Sequence, residues 1–183
     1  EWESMKKYSK DMIKLTEEKL KNSSKGTQII KIDANHTIEK CYSDNGELIS
    51  SINLKHGIRH GLSEIWATSE FGSTFKWLEK NYKDGELHGK MKEWGRNLLL
   101  LKELKYKNGL LHGKCKFFDG KGSLESEGNY KEDKADGLHK KYIQNRDPKS
   151  FRKWNSTIIA HIVYKNDKII STKHYDIVGR ALD

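Results

Sequence analysis

The sequence is short of cysteine, of proline and of apolar residues. Two cysteines, Cys41 and Cys115, cannot make a disulfide framework. No apolar run approaches the roughly 18 residues that a membrane-spanning helix needs. Hydrophobic residues make up 34% of the chain and charged ones 33%, which is lean for a thick two-layer core and suits a single-layer or quasi-linear fold. No nucleophile elbow, phosphate-cradling glycine loop, zinc spacing or His-Glu-x-x-His appears, so nothing reads as an active site. Proline occurs once, at Pro148, beside abundant Lys and Asn. That composition reflects an AT-rich genome as readily as a polyanion partner, although the formal charge is +9. Three Asn-x-Ser/Thr sequons, at Asn22, Asn35 and Asn155, are what an Asn-rich chain gives by chance.

What the chain does have is a repeat. Tyr106-Lys-Asn-Gly-Leu-Leu-His-Gly-Lys-Cys-Lys-Phe-Phe118 recurs as the stretches from Tyr82 to Trp94, from Leu54 to Trp66 and from Tyr130 to Tyr142. Gly61, Gly89, Gly113 and Gly137 anchor the copies, giving a period of 24 residues with a four-residue insertion between the first two. Each copy alternates a turn with a β-prone run, which predicts one β-hairpin per repeat. Asp84-Gly85, Asn108-Gly109 and Asn45-Gly46 supply the positive φ that tight hairpin turns need. Tyr82, Tyr106, Tyr130 and Tyr164, headed by Leu54, form one column; Tyr42, Trp66, Trp94, Phe118 and Tyr142 form another. Leu100, Leu104, Leu124, Ile158 and Ile162 sit at even offsets from the tyrosines, which predicts that they share a face with them.

The array predicts an all-β fold, an open antiparallel β-meander over residues 27–183. It begins with a leading hairpin, continues through four copies and ends in a half-repeat after Tyr164. Glu132-Asp133 stands where glycine is expected, and the residues around Pro148 read as a protruding loop. Over residues 1–26, Met5, Tyr8, Met12 and Leu15 follow helical spacing, which predicts an N-terminal α-helix docked on the sheet. A targeting or oligomerising role for that segment is the alternative. Cys41 and Cys115 would stand about six strands, roughly 29 Å, apart and could not bond.

The motif Tyr-Lys-Asn-Gly-x-x-His-Gly-Lys-x-x-x-Phe, with its Leu-x-x-Glu-x-x-Tyr return, resembles the variant MORN repeat of bacterial proteins grouped as the YwqK-type antitoxin family. The likeness covers about residues 38–170 and is closest over residues 82–131. It implies a β-meander without catalysis or cofactor and a protein-binding role, in some members neutralising a toxin encoded nearby. The compartment is not read from the residues; the bacterial cytoplasm is the favoured expectation. An exported form stays open because the chain opens at Glu1, which suits a removed signal peptide and a trimmed start alike.

His60, His88 and His112 recur in register, but copies two strands apart are too distant to share a metal. The expectation is that each bonds or packs against the next turn. Lys83, Lys107 and Lys131, with Lys55 and Lys165, follow the tyrosine position. They form a row that reads either as a solvated face or as a stripe for an acidic protein, anionic lipid or nucleic acid. Phe71, Phe75 and Trp77 fall in the insertion and either contact a partner or pack under their own loop. Met91 and Phe117 complete the candidate contacts. The leading expectation is an antitoxin- or immunity-type protein docking an acidic partner. The alternative is a membrane-peripheral scaffold, and no specific nucleic acid is expected.

Overall fold

The structure is a computed structural model and describes residues 26–68, 72–146, 154–176 and 178–182. Every regular element among them is a β-strand. They are β1 (Thr27–Lys31), β2 (His36–Tyr42), β3 (Leu48–Lys55), β4 (Ile58–Thr68), β5 (Thr74–Lys83), β6 (Glu86–Trp94) and β7 (Leu100–Lys107), then β8 (Leu110–Leu111), β9 (Gly113–Phe118), β10 (Leu124–Lys131), β11 (Lys134–Arg146), β12 (Trp154–Lys165), β13 (Lys168–Tyr175) and β14 (Ala181–Leu182). They form one open antiparallel sheet in chain order, β8 and β9 being two pieces of one interrupted strand beside β7. This is the expected meander, leading hairpin included. The expected N-terminal helix, Phe71 and most of the loop around Pro148 lie outside the described residues. Cys41 and Cys115 stand six strand steps apart, on β2 and β9, and both thiols are free.

The turns show why the repeat carries the residues it does. His56, Asp84, Asn108, Glu132 and Asn166 all have positive φ, between 48° and 52°, and the residue after each is positive too. That pair of angles defines the hairpin turn whose twist matches the strands. The turns also stack. The amides of Gly85, Gly109, Asp133 and Asp167 donate to the carbonyls of Arg59, Leu87, Leu111 and Ala135 in the preceding copy, at 2.8–3.1 Å. Where aspartate replaces glycine, its carboxylate adds a bond: Asp133 accepts from the Leu111 amide at 2.8 Å and Asp167 from that of Ala135 at 2.6 Å. Those bonds offset the strain of a left-handed non-glycine residue. Asn45-Gly46 differs from expectation. Only Gly46 has positive φ, and the loop is a wider one closed by the Ser43 amide on the Glu47 carbonyl at 2.8 Å.

Bulges set the two faces. In each copy the register shifts by two residues around the His-Gly or Asp-Gly pair, as between Lys80↔Met91 and Tyr82↔Leu87. The anchor glycines have φ of 84–99°. They face the next copy's tyrosine: Gly61↔Tyr82, Gly89↔Tyr106, Gly113↔Tyr130 and Gly137↔Tyr164. A second, one-residue shift near the wider loops turns the following aromatic to the opposite face. The two aromatic columns therefore occupy opposite faces. The expected grouping of leucines breaks for the same reason. Leu100 pairs with Trp94, Leu124 with Phe118 and Ile158 with Tyr142, while Leu104 and Ile162 stay with the tyrosines.

The core lies on the tyrosine face. Leu78, Met91, Leu104, Leu111 and Cys115 are each 5% exposed or less, and burying such a side chain stabilises by about 1.5–3 kcal/mol. Met91, expected as a surface contact, sits in this cluster at 1% exposure; its lysine neighbours point the other way. Phe75 is buried as well, paired with Ala67.

Candidate functional site on the lysine face

Opposite the core, the sheet presents ordered rows of side chains. The central row alternates in sign. Glu79, Lys92, Glu103, Lys116, Glu127 and Lys140 pair in succession across six neighbouring strands. Opposite charges directly across an antiparallel pair contribute about 0.2–1 kcal/mol each, so this row stabilises the sheet. Burial raises the Glu127 carboxyl, but the Lys114 ammonium at 2.9 Å and the Tyr142 hydroxyl at 3.2 Å outweigh it and hold the group below the usual carboxylate range. Burial, and after it the same carboxylate, pushes the Tyr142 phenol up to about 12.

Towards the wider loops runs an apolar band of half-buried Trp66, Trp94, Phe118 and Tyr142. Lys76 crosses it, with its ammonium 5.8 Å from the Trp66 ring and 6.0 Å from that of Trp94. The ammonium also pairs with Glu64 and, at 3.5 Å, with Glu79. The Glu64 bond chiefly holds its pKa above the ordinary lysine value.

Towards the tight turns lysines predominate among a few acids: Lys83 faces Glu86 across the strands, and Lys165 pairs with Asp136 at 3.2 Å. Lys83, Lys107 and Lys131 are exposed, as their position after the buried or half-buried tyrosines requires. Inside them, Lys90 and Lys105 are direct cross-strand partners, and both are exposed. The Lys105 side chain lies over Gly113, next to Lys114. Among the described residues no carboxylate pairs with Lys90 or Lys105, whereas Lys114 pairs with Glu127. Like charges directly opposite destabilise a sheet.

The other predicted residues are dispersed. Trp77 and Phe117 are half-buried and pack against the core cluster, on the far side of the sheet from the lysines. His60 Nδ1 meets Asp84 Oδ1 at 3.2 Å and His88 Nδ1 meets Asn108 Oδ1 at 3.2 Å, each in the next copy's turn, as expected. On the tyrosine face His139 sits between Tyr130 and Tyr164, with ring centroids at 5.0 and 4.8 Å. Its Nε2 lies 2.8 Å from the Asn129 carbonyl. Burial lowers its pKa, against the opposing pull of that carbonyl.

Sequence reasoning missed one set of residues. Asn53, Asn81 and Asn129 each precede their anchor glycine by eight positions. Their side-chain amides donate across the bulge to the carbonyls of Leu62, Lys90 and Leu138. The third copy has Lys105 at that position. The common register was the signal that could have revealed them.

No family model matches the chain, and no curated protein matches it. Among solved structures, a variant of S. aureus TarM in complex with Fondaparinux, alpha-GlcNAc-glycerol and UDP aligns at a TM-score of 0.36 and 12% identity, over 63% of this chain. A second TarM structure aligns at a TM-score of 0.28 and 14% identity, over 75% of this chain. The chain spans 22% and 24% of those proteins' lengths. Likeness at these scores carries no argument about fold family or function.

Proposed function

We propose that this chain is a non-enzymatic protein-binding module of variant MORN hairpins, of the antitoxin or immunity kind, which docks an acidic partner by surface complementarity. The observation that carries the reading is the exposed pair Lys90 and Lys105, which has no carboxylate partner among the described residues and shares its face with a band of half-buried aromatics on the other side of the alternating row. Apolar anchors beside complementary charge are what a protein interface uses for affinity and on-rate respectively. The alternating Glu–Lys row also favours a protein over a polyphosphate, because a continuous phosphate backbone laid across the strands would meet Glu79, Glu103 and Glu127 in turn. The histidines enter this reading as turn ligands, with no chemical step.

The test is genetic and then physical. The product of the neighbouring reading frame is expressed alone and together with this chain. The proposal expects growth arrest that co-expression relieves, and a complex that weakens as salt rises. Relief without a physical complex, or no relief, would contradict it. The regular exposure of Lys83, Lys107 and Lys131 along one edge supports a second reading, contact with an anionic membrane. Sedimentation with phosphatidylserine vesicles separates the two.

A further inference from the structure

The third copy departs from its neighbours at one register position, and the departure has a structural cost. In the other copies an asparagine stands eight residues before the anchor glycine and donates to a carbonyl across the bulge. Lys105 cannot accept the same geometry as a short amide, and its stem instead lies along Gly113, where a Cβ would come within 3.0 Å of its Cδ. It also places its ammonium on the same face as its cross-strand partner Lys90. A repeat that breaks its own local rule by adding like charge gives up stability, and such exceptions concentrate at functional sites.

The neighbouring position repeats the pattern. The residue after the anchor glycine is Leu62 and Leu138 in the outer copies, but Lys90 and Lys114 in the two middle ones. Three lysines thus converge on the middle of the sheet and nowhere else along this row. Beside them lies a shallow hollow of about 170 Å³ lined by Lys114, Glu127, Gly128, Asn129, Leu138 and Lys140. Its rim has a lysine on each of two strands, β9 and β11.

We infer that Lys90, Lys105 and Lys114 form the docking site for a carboxylate cluster on an acidic protein partner. This rests on the protein-binding reading above and deepens it by naming the face and the residues. Aspartate or glutamate side chains of the partner supply the counter-charge that Lys90 and Lys105 lack and share Lys114 with Glu127, and the alternating row beside the site fixes how the partner's own charges must be arranged.

The test uses the full chain with three probes: a labelled oligoglutamate peptide, vesicles of phosphatidylcholine with phosphatidylserine, and single-stranded oligothymidylate. The triple variant Lys90→Gln, Lys105→Gln, Lys114→Gln is compared with a charge-matched control, Lys31→Gln, Lys168→Gln, Lys173→Gln, at the two ends of the sheet. The inference expects salt-sensitive peptide binding that is about tenfold weaker in the first triple and nearly unchanged in the control. It also expects the first triple to melt at or above the unmodified protein's temperature, so that lost binding is not lost folding. Equal weakening in both triples would overturn the site while leaving a protein-binding role standing. Binding of vesicles or oligothymidylate in preference to the peptide would overturn the partner chemistry and the protein-binding reading together. No binding of the peptide would overturn the inference.

Discussion

The two faces of this sheet are built from the same strands but obey different rules. On the tyrosine face each copy repeats the same solution: a glycine at a bulge, a tyrosine across from it, and Leu78, Met91, Leu104 or Cys115 beneath. Departures there are accommodated by a second change close by. Gly128 replaces a side chain where the His139 ring needs the space, and Asp133 replaces a turn glycine while bonding the preceding copy. On the lysine face the departure at Lys105 has no such accommodation among the described residues. A face that compensates its exceptions is selected for folding, and one that leaves them uncompensated is a candidate for binding.

The largest effect is expected on the tyrosine face. A Cβ at Gly128 would lie 2.0 Å from the His139 Nδ1. Gly128→Ala should therefore destabilise by about 3 kcal/mol in urea unfolding, as overpacking does. Adding His139→Ala should recover part of that loss, giving a coupling of about 1 kcal/mol or more in the double-mutant cycle. Additive losses would mean that the two residues do not share the space.

Next comes the bulge bond. Asn81→Ala removes the donor to the Lys90 carbonyl, now 2.9 Å away, and should lower stability by about 1 kcal/mol. A smaller effect than Lys105→Ala produces would blur the contrast between the second and third copies.

The pH dependence follows from His139. Its folded pKa is lowered by burial, so the unfolded chain binds the proton more readily. The associated stability is present above the unfolded value, about 6.5, and is lost as pH falls through the folded pKa. Urea midpoints should drop between about pH 7.5 and about pH 5.5, and His139→Phe should flatten that part of the profile. An unchanged slope would place the pH sensitivity elsewhere.

The smallest effect belongs to the alternating row. Glu103→Gln leaves Lys92 and Lys116 facing a neutral residue and should lower stability by about 0.5 kcal/mol, less at high salt.

Much of this arrangement could be read from the residues. The 24-residue stride gave the hairpins, their order and the two aromatic columns. The Tyr-to-Gly spacing was visible too, although not its meaning, since only the sheet register shows that the glycine faces the next copy's tyrosine. What escaped were consequences of bulges, which leave almost no mark in a hydrophobic pattern. Even spacing put Leu100 and Leu124 with the tyrosines, but one extra residue in a strand reverses every side chain beyond it. Met91 looked like a surface residue because Lys90 and Lys92 flank it, yet period-two alternation buries it. Phe117 and Phe118, adjacent in sequence, fall on opposite faces for the same reason. Lys83, Lys107 and Lys131 were found by position alone, whereas Lys105 was hidden because its significance lies in the asparagines it replaces.

The most direct test of the account is the stability of Lys105→Asn. That change restores the residue used by the other copies, adds a bond across the bulge and removes a like-charge pair. The urea midpoint should rise, corresponding to a gain of about 1 kcal/mol in stability. A lowered midpoint would show that Lys105 is there for the fold and would remove the reason to place a binding site on it.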